Sequence, residues 1–194
     1  MSIEFYQQNA DEFFSSTVNV DMSNIYQHFT KSLPANALIL DAGCGSGRDT
    51  KAFLGMGYKV EAFDASSEMV TRASMHTGID VKLGAFADVT DANKYDAIWC
   101  CASLLHVPEN ELPQALYKLA TALKPVGIWY ISFKYGDSQR EKDGRLFTDV
   151  NEDSLTALVH SLPDITVRLT WITVDNRPDR KEQWLNAILV KSTV

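Results

Sequence analysis

The stretch "LILDAGCGSGRD", residues 38–49, decides how the rest of the chain is read. An apolar run ends in an acid, and three closely spaced glycines follow: Gly43, Gly45 and Gly47. Glycine lets a backbone turn sharply and come close to a ligand. Asp41 sets the charge preference of that turn. A carboxylate at its mouth repels phosphate and tolerates a cationic ligand. A second acid, Asp64, follows Gly43 by about 20 residues, the spacing of a carboxylate that grips ribose hydroxyls. The pair points to a nucleoside. The dinucleotide fingerprint G-x-G-x-x-G/A is not met, because Arg48 stands at its third glycine and Gly47 comes one place early. Asp41 and Arg48 therefore disfavour a pyrophosphate ligand such as NAD and the oxidoreductase reading that goes with it.

Outward from this turn, strand and helix signals alternate. Residues 37–41 read as a strand, 48–57 as a helix stopping at Gly57, 58–64 as a strand, and 66–76 as a serine-capped helix. Strand-like runs follow at 79–86 and 95–103. In 111–125, Leu112, Ala115, Leu116, Leu119 and Leu123 fall on one helical face. A strand at 127–133, a capped helix at 151–162 and two β-rich runs at 165–175 and 182–191 complete the pattern. Alternation of this kind predicts an α/β fold with a mostly parallel sheet covered by helices on both faces. The last two runs are joined too closely for a helical crossover, so they predict an antiparallel hairpin at the sheet edge. Helical stretches at about 3–16 and 22–32 should pack over the carboxyl edge of the sheet or on one face. A single domain is expected: a helical cap over 1–35, a ligand-binding core over 36–134, and a substrate-side segment with the edge strands over 135–194.

Composition narrows the class. The chain has 194 residues, 45% of them hydrophobic and 22% charged, as in a globular domain. No apolar run is long enough for a membrane span, and the first residues do not resemble a signal peptide. The formal net charge of −7 argues against a large nucleic-acid footprint. Cys44, Cys100 and Cys101 show no metal or redox spacing and are expected to be reduced thiols, which fits a cytoplasmic location. His28, His76, His106 and His160 form no ligand pattern, so no metal is expected.

S-adenosylmethionine meets the demands of the glycine turn: it has ribose, adenine and two cationic groups, and no phosphate. Here the chain resembles the class I S-adenosylmethionine-dependent methyltransferases. "LDAGCGSG" matches that family's first motif, "VEAFDAS" resembles the second, and "FADVTDANKYDAIWCCASLLHV" resembles the third and fourth regions. "ALYKLATALKPVGIWYISF" resembles its later helix, Leu-Lys-Pro-x-Gly turn and fifth strand. The resemblance covers about residues 36–134. It implies a Rossmann-like seven-stranded sheet of order 3-2-1-4-5-7-6 with the last strand antiparallel. It places Asp41, Gly43, Cys44 and Gly45 along the methionine portion, and Asp64 on the ribose hydroxyls with Ala65 and Met69 nearby. Phe86 becomes the adenine neighbour, with Asp88 a candidate for the adenine amino group. Cys101 offers its backbone carbonyl to the methionine ammonium. The product would be S-adenosylhomocysteine.

The acceptor half is less defined. His106, after the fourth strand, is a candidate base as well as a substrate contact. Tyr6, Asn9, Phe13 and Phe14 belong to a first helix that in related enzymes often covers the cofactor. Two basic loops, 133–149 and 175–184, should emerge beside the methyl group, so Lys134, Arg140, Arg145, Arg177 and Arg180 are candidates for the rim of the pocket. The alternative is that these cations pair internally with Asp143, Asp175 and Asp179. Arginine suits carboxylate or oxyanion partners, so the expected acceptor is a small, polar or anionic molecule. Among branches of the family, the chain looks most like small bacterial methyltransferases of the tellurite-resistance type. A methyltransferase acting on tRNA or protein, or a protein that binds the cofactor without catalysis, stand as alternatives. Oligomeric state is not readable.

Overall fold

The computed structural model describes residues 2–177 and 180–193. Three short helices come first: α1 (Ser2–Gln8), α2 (Ala10–Thr17) and α3 (Ser23–Thr30). The core then runs β1 (Leu38–Ala42), α4 (Arg48–Gly55), β2 (Lys59–Asp64), α5 (Ser67–Thr77), β3 (Lys82–Leu83) and β4 (Tyr95–Cys100). It continues through α6 (Leu112–Ala122), β5 (Leu123–Lys134), β6 (Gln139–Lys142), β7 (Arg145–Thr148), α7 (Glu152–His160), β8 (Ile165–Val174) and β9 (Gln183–Lys191). Seven strands form one sheet in the order β3-β2-β1-β4-β5-β9-β8. The first five are parallel, and β9 runs antiparallel to both β5 and β8. With β8 and β9 as the sixth and seventh main-sheet strands, this is the expected order.

Strand pleat explains the layers. Successive side chains point to opposite faces, so Leu40, Ile98 and Trp129 join a core roofed by α6 and α7, whereas Ile39, Trp99 and Tyr130 join one made with α3 and α4. In the second core Trp99 stacks on Tyr130 with ring centroids 4.0 Å apart, and Phe53 meets Trp99 edge-on at 5.1 Å. Both strands are buried on both faces, as parallel strands between helices must be. The side-chain oxygen of Ser66 caps α5 by accepting from the Met69 N–H, and Asn151 caps α7 from the Ser154 N–H.

Several expectations are corrected. The stretch 3–16 is two helices, broken at Asn9, whose backbone leaves helical geometry. The strand expected over 79–86 is only two residues long. The helix expected to reach Pro125 ends at Ala122, and Leu123 is already extended and paired with Tyr95. The segment 133–149, expected as a loop, contains the β6–β7 hairpin. Its tip is Asp143–Gly144, both with positive φ (53° and 71°), a mirror-image turn that suits a two-residue hairpin. The amino-terminal helices divide their work. α3 belongs to the core under the sheet, while α1 and α2 lie over its carboxyl edge beside α5 and β7. No helix among the described residues is long and apolar enough to cross a membrane.

Candidate active site

At the carboxyl edge of the sheet lies a cavity of about 690 Å³, within the range of sites that hold small molecules and cofactors. One end sits over β1 to β3. Gly43 turns with φ +78°, and its N–H and that of Cys44 both donate to the Phe63 carbonyl at 3.0 Å. A Cβ on Gly43 would come within 2.6 Å of the Ser103 Cβ. The turn is thereby pressed against the loop after β4, where Ser103 Oγ donates to the Ala42 carbonyl at 2.7 Å.

Asp64 closes this end. Its two carboxylate oxygens accept from the Gly45 N–H and the Ser66 N–H, each at 2.9 Å. Burial raises its carboxyl above the usual range, against the pull of those N–H groups. Gly43, Cys44, Gly45, Asp64, Ala65, Met69, Phe86 and Cys101 all line the cavity. Phe86 stands edge-on to Phe63 at 5.6 Å. The remaining lone pairs of Asp64, the glycine cradle and the apolar wall at Phe86 suit a diol, a close backbone approach and a planar base respectively, so the residues fit S-adenosylmethionine.

Two acids depart from expectation. Asp41 does not line the cavity: it is 2% exposed, behind the turn, and accepts the Thr50 hydroxyl at 2.6 Å. Burial, reinforced by the neighbouring Asp49, pushes its carboxyl up to about 8. Asp88 is absent from the lining too; its carboxylate accepts the Ala85 N–H at 2.8 Å. Asp49 behaves oppositely to Asp41. Burial pushes it up, but Arg48, Tyr26 and Trp99 all donate to it and hold it below its ordinary value.

The other end of the cavity lies over β5, β9 and β8, with α1 and α2 above. Tyr6, Tyr130, Trp184, Asn186 and Arg177 line it, while Phe13 stands over the glycine turn, its ring 3.3 Å from where a Cβ on Gly45 would lie. His106 is held between two partners. Its Nδ1 is 2.7 Å from the Leu146 carbonyl, and its Nε2 is 2.7 Å from the Tyr6 hydroxyl. A carbonyl can only accept, so Nδ1 carries the proton and Nε2 accepts from Tyr6. Burial drives the imidazole down to about 4, and nearby Arg145 and Lys134 add to that despite the Leu146 bond. It is neutral at ordinary pH.

The basic loops do not deliver their cations as expected. Arg177 reaches the cavity, but its guanidinium is bidentate on Asp175, with Nε at 2.9 Å. Lys134, Arg145 and Arg180 do not line it. Lys134 lies over the Phe147 ring at 4.3 Å, 3.8 Å from Glu182, and borders a separate shallow depression together with Arg140. Arg145 stacks on Phe5 at 4.1 Å and pairs with Asp143 at 3.8 Å. Arg140 pairs with Asp149, and Arg180 with Glu182. Internal pairing therefore holds for Asp143 and Asp175; Asp179 lies outside the described residues. Sequence reasoning missed Arg48, Tyr130, Trp184 and Asn186 as cavity residues. Asn186 had a signal, being a lone amide in the apolar run "WLNAILV".

Residues 39–127 match the model of the methyltransferase domain family. That match spans a little under half of the chain and covers β1 to the start of β5. A ubiquinone biosynthesis O-methyltransferase of Xanthomonas axonopodis is 33% identical over 107 residues, which are 51% of this chain and 44% of that protein. The chain thus spans under half the length of the curated relatives it matches. Among solved structures, the chain is similar to a Burkholderia thailandensis 1,6-didemethyltoxoflavin-N1-methyltransferase with bound 1,6-didemethyltoxoflavin and S-adenosylhomocysteine. That match has a TM-score of 0.78 at 22% identity and covers 98% of this chain and 85% of that one. It is also similar to the Synechocystis magnesium protoporphyrin IX methyltransferase with bound S-adenosylmethionine, with a TM-score of 0.69, 19% identity, and 96% and 80% coverage. These two likenesses show the fold.

Proposed function

We propose that this chain transfers a methyl group from S-adenosylmethionine to a small-molecule acceptor, leaving S-adenosylhomocysteine. The carrying observation is one continuous cavity whose first end is built from the glycine turn and Asp64 and whose second end is a separate side-chain pocket. When bound, the cofactor supplies a methyl group on a positively charged sulfur, so the protein's main tasks are alignment and exclusion of water. Asp64 holds the ribose hydroxyls, the Cys101 carbonyl takes the ammonium, and Phe86 packs against adenine. Gly43, Cys44, Gly45, Ala65 and Met69 shape the remainder. Asp41 acts from behind, fixing the turn through Thr50 on α4.

On the acceptor side, Tyr6 and Arg177 line the pocket and His106 positions Tyr6. A neutral histidine with so low a proton affinity, already bonded to Tyr6, is a poor base, so we assign it orientation rather than proton removal. The small acceptor is supported by the size of the cavity, about 690 Å³, and by the small molecule bound in the similar Burkholderia enzyme, 1,6-didemethyltoxoflavin. Three free thiols suit a reducing compartment, which for us is the cytoplasm.

Calorimetric titration tests the cofactor assignment. S-adenosylmethionine and S-adenosylhomocysteine should bind the native protein with micromolar affinity and NAD should not, and Asp64→Ala should lose both. No binding to folded protein stripped of carried-over ligand would end the methyltransferase reading.

A further inference from the structure

The acceptor end of the cavity has aromatic walls and few unengaged donors. Tyr6 forms one wall, its ring edge-on to Phe13 of the glycine-turn end at 4.8 Å, and Trp184 and Tyr130 line the floor. Both arginines among the described cavity residues are bidentate on their own aspartates: Arg48 on Asp49 at 2.7 and 2.9 Å, and Arg177 on Asp175. Each is a neutral pair. The polar donors of the floor are occupied as well. Tyr130 donates its hydroxyl to Asn186 Oδ1 at 2.7 Å, the Asn186 amide donates to Thr173 Oγ1 at 3.0 Å, and Trp184 donates its indole N–H to Asp175 at 3.3 Å. Lys118 also lines the cavity, but it stands on α6 beside the Phe86 segment and donates to the Val89 carbonyl.

Tyr6 completes the picture. Leu146 fixes the His106 tautomer, and the tautomer fixes the direction of the Tyr6 bond. The phenolic proton therefore points at His106, and Tyr6 offers the cavity an acceptor; Arg145 stands close enough to act on the Tyr6 oxygen but does not itself line the cavity. Among the side chains that line this end, an oxyanion would meet the Tyr6 lone pair and the neutral Arg48–Asp49 and Arg177–Asp175 pairs, with Arg145 behind Tyr6 and outside the lining, and would leave its water with little compensation. A neutral molecule bringing its own N–H or O–H would find an acceptor aimed at it.

We propose that the methyl acceptor is an uncharged, planar aromatic or heteroaromatic compound whose O–H or N–H donates to Tyr6 Oη, and that the His106–Leu146 chain makes Tyr6 selective for it. This rests on the methyltransferase reading above. It replaces the anionic acceptor suggested by the basic loops, whose cations are paired away from the cavity or within its wall.

The test uses native protein saturated with S-adenosylhomocysteine and titrated with beta-naphthol, its methyl ether, selenite and phosphate. Beta-naphthol should bind about tenfold more tightly than its ether, which cannot donate, and neither oxyanion should bind measurably. In Tyr6→Phe the preference for naphthol over ether should collapse to about one, with affinity for S-adenosylhomocysteine retained. His106→Gln is the second variant. Its amide can donate to Tyr6, which turns the phenolic proton toward the cavity, so the naphthol preference should shrink and selenite should gain affinity. An oxyanion binding the native protein more tightly than naphthol overturns the inference. So do equal affinities for naphthol and ether, no naphthol binding to loaded protein, or a preference that survives both variants. Failure to bind S-adenosylhomocysteine would instead overturn the reading beneath it.

Discussion

The two ends of the cavity are made of different material. The end over β1 to β3 is built by main chain: glycine N–H groups, a carbonyl at Phe63, and a carboxylate whose observed partners are backbone donors. The end over β5, β9 and β8 is built by side chains that hold one another: Tyr6 on His106, Arg177 on Asp175, Tyr130 on Asn186. A backbone-built site tolerates little change in the residues that shape the turn but is indifferent to much of its surroundings. A side-chain-built site can be retuned one contact at a time. The contrast fits a fixed nucleoside ligand at the first end and an acceptor that differs among relatives at the second.

The sharpest way to break this contrast is Gly43→Ala. The new Cβ would meet Ser103 at 2.6 Å on a backbone with φ +78°. Overpacking and left-handed strain together should cost about 2–4 kcal/mol. Denaturant unfolding should show that loss, and S-adenosylhomocysteine binding should disappear with it. Wild-type stability with full binding would mean the turn is not the rigid element described.

A second test reads the acid behind the turn. Asp41 has its pKa raised to about 8 in the fold, by burial and Asp49, against about 3.9 for an unfolded aspartate. The folded protein therefore keeps a proton that the unfolded chain has lost, and stability must fall as pH rises between those values. Asp41→Asn, which keeps an oxygen for Thr50, should remove that slope. It should gain at least about 1 kcal/mol over the native protein between pH ~5 and pH ~8. Parallel stability curves would show that Asp41 is ionised and otherwise satisfied.

At the other end, Arg177→Ala should have the smallest effect. It strands Asp175, whose side chain is 5% exposed, and should cost about 1 kcal/mol. Asp175→Asn on top of it should recover part of that loss, since the two groups form one unit. An additive double variant would show that the pair does not stabilise the acceptor end.

The same contrast explains what could be read from sequence. Gly43, Gly45, Asp64 and Phe86 come from one contiguous stretch, so their spacing carried the nucleoside site, and the alternation of elements carried the sheet order. The acceptor end joins residues far apart in the chain: Tyr6 with His106, Ser2 with Leu146, Asp21 with Asn176. No local pattern encodes such meetings. Arg145 and Lys134 looked available because their loops are basic, yet both are held over aromatic rings that the sequence does not bring near. One miss was avoidable. The Asp143–Gly144 pair between β-prone runs is a strong hairpin signal.

The position of β9 has a consequence for how the chain acquires its shape during synthesis. β9 lies between β5 and β8 in the sheet but follows both in the sequence. Until it is made, β8 has no strand to join and the outer edge of β5 stays open. A nascent chain can assemble β1 to β5 with their helices, but it must hold an unpaired strand and an exposed edge while the remainder emerges, the condition in which chains pair wrongly with one another. Tyr130 waits as well, since its partner Asn186 arrives on that strand. The nucleoside end can therefore form early, and the acceptor end is completed by the last strand described.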